Sequence, residues 1–123
     1  MPNGKKILIV EDDDLMIVIL QFILKKEGYE ISVAKDGLNA IERIPEIAPD
    51  MVITDIMIPF RSGLEVISYV KTNYKNIPII VVSSLGEEES TVVEAFKLGA
   101  DDFVPKPFNP NEVVARVKRL FNS

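Results

Sequence analysis

Four short apolar runs of this chain each end in a polar or charged group. Ile7-Leu8-Ile9-Val10 leads into Glu11 and Asp12, and Met51-Val52-Ile53-Thr54 leads into Asp55. Ile79-Ile80-Val81-Val82 leads into Ser83, and Asp102-Phe103-Val104-Pro105 leads into Lys106. If these runs are strands of an open parallel α/β sheet, ligands bind outside their carboxyl ends. Three carboxylates, a hydroxyl and an ammonium then share one pocket. Like charges about 4 Å apart repel by several kcal/mol near a protein surface, so the carboxylates need a proton or a cation. Mg²⁺ (or Mn²⁺) suits them, since Mg²⁺ takes one or two carboxylates, several waters and a phosphate. A carboxylate can attack phosphorus to give an acyl phosphate, with catalysis mostly by positioning and charge neutralisation. Asp55 is the expected nucleophile. Ser83 offers a hydroxyl to a phosphate oxygen, and Lys106 a point charge. Ser84, beside Ser83, is small enough to leave the pocket open. Asp13 and Asp14 suit helix capping equally well.

The elements that must carry these groups follow from the pattern. Apolar runs alternate with helix-period segments, as in repeated βα units. Strands are expected near residues 6–10, 30–34, 50–55, 78–83 and 102–105. Helices are expected near 14–27, 37–47, 63–73, 87–97 and 110–121. Ile7–Val10 and Ile79–Val82 are continuously apolar, as strands covered on both faces should be. Pro45 should end or bend the second helix early, and the Lys106–Pro107 bond is a candidate cis peptide. The expected fold is α/β: a five-stranded parallel sheet, doubly wound and flavodoxin-like, order 2-1-3-4-5, with five helices. Residues 1–123 are expected to form one domain.

Composition narrows the chemistry. The 47% hydrophobic content is ample for one core. There is no cysteine and no histidine, which removes thiolate chemistry, Cys-type zinc sites and the commonest general base. The net charge of −5, without a long basic run, argues against direct nucleic-acid binding. The N-terminal residues lack an apolar signal core. The stretch from Leu15 to Leu24 is too short to span a bilayer. A cytoplasmic protein with no membrane partner is the expectation.

The motifs Ile-Leu-Ile-Val-Glu-Asp-Asp at 7–13, Asp55-Ile-Met-Ile-Pro59 with Ser62-Gly63-Leu64, Val81-Val82-Ser83-Ser84 and Lys106-Pro107-Phe108 occur in this order. Together they make the chain resemble a response-regulator receiver domain, CheY-like, over essentially its whole length. The resemblance implies that Asp55 is phosphorylated by a phosphohistidine on a sensor histidine kinase or histidine phosphotransfer protein. It implies Mg²⁺ held by Glu11, Asp12, Asp55 and the backbone carbonyl of Met57, with Ser83 and Lys106 on the phosphoryl group. It implies a switch in which Ser83 moves and the aromatic Phe103 turns inward, altering the face made by the fourth helix, last strand and fifth helix for a downstream effector. Phe103 has no phenolic hydroxyl, so a switch needing that hydrogen bond does not carry over.

The segment from Gly99 to Lys118 is further similar to receivers of winged-helix transcription factors, which dimerise by that face through cross-subunit ion pairs. Asp101, Asp102 and Arg116 match that pattern. Val92 and Lys97 depart from it, and Lys97 would face Lys118. A monomer or weak dimer is expected.

Two readings go beyond the resemblance. In the first helix Met16, Ile19, Leu20, Ile23 and Leu24 should face the sheet, which leaves Ile17, Val18 and Phe22 as a candidate partner-docking face. Met57 and Leu85, two residues past Asp55 and Ser83, are apolar and cannot orient an attacking water, so self-dephosphorylation should be slow. Other classes stay in view. A phosphatase with an aspartyl nucleophile would need D-x-D then Thr after the first strand, but Leu15-Met16 follow Asp12-Asp13-Asp14. A flavin module would need a Ser/Thr/Gly-rich phosphate loop where this chain is acidic. A pseudo-receiver that only binds would not need Glu11, Asp12, Asp55, Ser83 and Lys106 all intact.

Overall fold

The computed structural model describes residues 4–84 and 89–122. Strands and helices alternate: β1 (Lys6–Val10), α1 (Asp14–Lys26), β2 (Glu30–Ala34), α2 (Gly37–Ile47), β3 (Met51–Thr54), α3 (Gly63–Asn73), β4 (Ile79–Ser84), α4 (Glu89–Leu98), β5 (Asp102–Lys106) and α5 (Pro110–Phe121). These are the expected elements; the expected start of the fourth helix at 87 lies outside the described residues. All strand pairs are parallel, in the order β2-β1-β3-β4-β5. β1 therefore lies between β2 and β3, where the winding reverses direction. That switch point opens a crevice at the strand ends.

Helix starts are written locally. Asp13 accepts from the Met16 amide at 3.1 Å and Asp36 from the Asn39 amide at 2.6 Å. Ser62 and Asn109 cap α3 and α5 in the same way. Each caps an amide that has no partner inside its helix. Pro45 does not end α2, which runs on to Ile47 and closes on Ala48 in the left-handed region. Pro45 sits in the last turn with its ring exposed, so it costs one hydrogen bond and meets no packed neighbour.

Successive side chains of a strand point to opposite faces, and here both faces are covered. Leu8 and Val10 join Val52, Ile79 and Val81 in one apolar layer, under Ala40 and Ile44 of α2 and Val66, Ile67 and Val70 of α3. Ile7 and Ile9 join Met51, Ile53, Ile80 and Val82 in the other, under Leu20 and Leu24 of α1 and Val113 and Val117 of α5.

One expectation about α1 is corrected. Ile17 is buried with Leu20 and Leu24, while Leu15, Val18 and Phe22 stand 66%, 60% and 69% exposed. The buried stripe is thus rotated toward Ile17, and Met16, Ile19 and Ile23 are only partly covered. The helix is apolar on nearly every side, so its periodicity did not define which stripe meets the sheet. Ile17 is a core residue and leaves the docking face. Among the described residues, no helix is long and apolar enough to cross a membrane.

Candidate functional site

The parallel ladder continues past the strand ends and aligns the acidic residues. The Glu11 amide donates to the Ala34 carbonyl, and the Asp55 amide to the Val10 carbonyl, both at 3.0 Å. Glu11 and Asp55 are thereby held side by side at the switch point, and both are buried. Lys106, at the end of β5, reaches across to them. Its Nζ lies 2.7 Å from Glu11 Oε1 and 2.8 Å from Asp55 Oδ2. The Lys106–Pro107 peptide is cis, as expected.

Each carboxylate has further donors. Glu11 Oε2 accepts from the Asp12 and Asp13 amides, each at 3.1 Å. Asp55 Oδ1 accepts from the Ile56 amide at 2.6 Å and the Met57 amide at 3.3 Å. The fully buried Ser83 hydroxyl stands 3.4 Å from the same oxygen. Burial pushes the Glu11 carboxyl above its ordinary range, against the pull of the Lys106 ammonium and the Asp13 amide. Burial works to lower the Lys106 ammonium, but hydrogen bonds and charge from Asp55 and Glu11 outweigh it and hold it raised. At neutral pH the ammonium is firmly charged.

Charge balance bears on a metal. Glu11, Asp12 and Asp55 face one ammonium, which leaves a formal surplus of two negative charges. Asp12 is exposed and lines a groove of about 400 Å³ with Ile56, Met57, Ile58, Pro59 and Ser62. Among the described residues no three acidic side chains converge closely enough to hold a metal ion as they stand. Two of them, Glu11 and Asp55, are bridged by Lys106. The donor set itself is all oxygen, with an anionic surplus matching a divalent cation and open space beside it, so the residues fit a hard cation.

The remaining expected residues fall as follows. Ser84 is exposed and Met57 presents its side chain outward at 69% exposure. Phe103 is half-buried, packed against the layer under α2 and α3. Leu85 lies outside the described residues. Val18 and Phe22 line an apolar groove of about 570 Å³ between α1 and α5, with Ile19, Ile23, Pro110 and Val114. Asp13 and Asp14 are structural: Asp13 caps α1, and Asp14 pairs with Lys35 at 2.7 Å.

Charged residues of the expected dimer face pair within the chain. Asp101 meets Lys71 at 3.0 Å, and Lys118 meets Glu27 at 2.7 Å. Asp102 is gripped by Arg116 and Arg119, each at 2.7 Å.

Sequence reasoning missed Thr54, whose buried hydroxyl donates to the Asp55 carbonyl at 2.8 Å. A lone hydroxyl ending an otherwise apolar buried strand was the available signal. It also missed Arg119, three residues after Arg116 and so on the same helix face.

A sequence model of the response regulator receiver domain matches residues 7–118. Solved structures agree with it over nearly the whole chain. A protein assigned as a response regulator from Chloroflexus aurantiacus J-10-fl is 32% identical, with a TM-score of 0.90, covering 98% of this chain and 100% of that one. The receiver domain of a signal transduction histidine kinase from Syntrophus aciditrophicus is 30% identical, with a TM-score of 0.88, covering 97% and 91%. The Vibrio cholerae chemotaxis protein CheY4 is 27% identical, with a TM-score of 0.87, covering 95% and 98%.

Proposed function

This chain belongs to the response regulator receiver family of two-component signal transduction, and from that premise we propose that Asp55 is its phosphoryl acceptor. The observation that carries the reading is the buried Asp55 carboxylate bridged to Glu11 by Lys106. An Asp55 carboxylate oxygen forms the new P–O bond of an acyl phosphate. The P–N bond of a donor phosphohistidine breaks, and the imidazole leaves with the electron pair and takes up a proton. The donor histidine lies outside residues 1–123, which contain none. Receiver domains work with histidine kinases and effector domains; the pathway partner here is a sensor kinase or a histidine phosphotransfer protein.

Receivers generally depend on Mg²⁺, and Glu11, Asp12, Asp55 and the Met57 carbonyl are the groups proposed to hold it here. When bound, the ion supplies charge neutralisation for the transferring group. Lys106 then pairs with a phosphoryl oxygen and Ser83 donates its hydroxyl to another. Ser83 and Phe103 are the proposed switch, altering the face of α4, β5 and α5 for a downstream effector. With Asp101, Asp102 and Lys118 already paired in-chain, a monomer or weak dimer is the proposed state of this single domain. The apolar Met57 supports slow self-dephosphorylation; a phosphoryl lifetime of seconds would overturn that.

Two experiments test the reading. Incubation with acetyl phosphate and Mg²⁺, followed by intact mass, should add one phosphoryl group to wild type and none to Asp55→Ala. No gain in wild type, or the same gain in Asp55→Ala, overturns it. Val18 and Phe22 are the proposed docking face for the donor's helices, seated on the α1–α5 groove. Val18→Lys and Phe22→Lys should slow transfer from the partner while leaving labelling by acetyl phosphate unchanged. If transfer rates hold, the donor docks elsewhere.

A further inference from the structure

The loop that follows Asp55 carries two consecutive non-glycine residues in the left-handed region, Phe60 at φ 47° and Arg61 at φ 79°. Such residues persist only where their surroundings over-determine them. Here the first turn of α2 does so. The Gly37 amide donates to the Pro59 carbonyl at 3.1 Å, and the Leu38 amide to the Phe60 carbonyl at 2.7 Å. These two amides have no partner inside the helix, so the loop and the helix start satisfy each other. The approach is very close: a Cβ on Gly37 would lie 1.8 Å from the Arg61 carbonyl oxygen. Glycine is required at 37 for space.

The other end of the same loop is tied to the nucleophile. The Ile56 and Met57 amides bond Asp55 Oδ1. The Gly63 amide donates to the Ile56 carbonyl at 2.8 Å, and a Cβ on Gly63 would lie 2.0 Å from the Asp55 carbonyl oxygen. Between the two anchors, Pro59 walls the groove that Asp12 and Met57 also line. A continuous set of backbone contacts therefore runs from the start of α2 to the acceptor site.

We propose that Gly37 is a positioning residue for this site: by admitting the Arg61 carbonyl, it lets α2 clamp residues 59–61 and so fixes the cation groove and the amides on Asp55. The inference rests on the phosphoryl-acceptor reading above. Gly37→Ala pushes the loop off α2. Mg²⁺ binding, titrated by calorimetry, should weaken about tenfold, the scale of supporting contacts around a metal site. Labelling by acetyl phosphate should need about tenfold more Mg²⁺ to reach half its maximal rate. Asp36→Ala is the control, because it removes the α2 cap but keeps the loop contact; it should bind Mg²⁺ as wild type does. Wild-type affinity in Gly37→Ala, or an equal loss in Asp36→Ala, overturns the proposal.

A second measurement needs no variant. Coupling between sites is reciprocal, so saturating Mg²⁺ should slow hydrogen exchange of the Gly37 and Leu38 amides in the wild-type protein. Unchanged exchange at both amides overturns the proposal even if Gly37→Ala does not fold. Wild type that binds Mg²⁺ but takes no phosphoryl group overturns the acceptor reading instead, and Gly37 is then judged by affinity and exchange alone.

Discussion

Two charged clusters in this chain use the same ingredients in different proportion. At the strand ends, Glu11 and Asp55 share the single ammonium of Lys106, with Asp12 close by. At the start of β5, the single carboxylate of Asp102 is shared by the guanidiniums of Arg116 and Arg119. Burial raises the Glu11 carboxyl in the first cluster. In the second, burial also works to raise Asp102, but the Arg116 hydrogen bond, the Phe103 amide and both guanidiniums outweigh it and hold it below its ordinary 3.8. A surplus of carboxylate leaves a site that wants another cation. Two guanidiniums on Asp102, with Glu112 3.8 Å from Arg116, leave a closed clasp between β5 and α5. Burial alone does not separate a reactive site from a structural one; the charge balance does.

The comparison is broken most severely at Lys106. Lys106→Met leaves Glu11 and Asp55 buried without their counter-charge, which should cost about 3 kcal/mol. Urea unfolding reads the loss, and Mg²⁺ should restore more stability to this variant than to wild type. Equal Mg²⁺ responses would mean the carboxylates do not share a cation site.

Asp102→Asn should cost about 2 kcal/mol, the scale of lost hydrogen bonds to charged groups, and leave labelling by acetyl phosphate unchanged. Its pH dependence has a definite sign. A carboxylate with a lowered folded pKa stabilises above its unfolded value and loses that contribution as pH falls through the folded one. The stability gap between wild type and Asp102→Asn should therefore be full at neutral pH and shrink below pH 3.8. A gap that widens on acidification would show that Asp102 is not held as an anion. The smallest effect is expected for Arg119→Ala, under about 1 kcal/mol, because its side chain is largely exposed and Arg116 keeps its grip on Asp102.

Much of the fold and the site could be read along the chain. The polar residues that end the β1, β3, β4 and β5 runs meet at one edge because parallel strands all finish on the same side. Glu11, Asp55, Ser83 and Lys106 were legible for that reason. Ile17 was not, since an almost wholly apolar α1 has no contrast from which to read a buried stripe. The in-chain pairing of Asp101 with Lys71 and of Lys118 with Glu27 was not legible either. Those partners lie far apart in sequence, and nothing local specifies which of several nearby charges each will meet.

The division has a physical basis. Alternation of apolar runs and helical periods, strand-end chemistry and capping residues are local properties, and the sequence by itself determined them. The rotation of α1, the seating of Lys106 between Glu11 and Asp55, and the clamp of Gly37 on the loop at Arg61 depend on how separate elements approach one another. Close packing leaves one arrangement of those surfaces, and only the tertiary structure decided it.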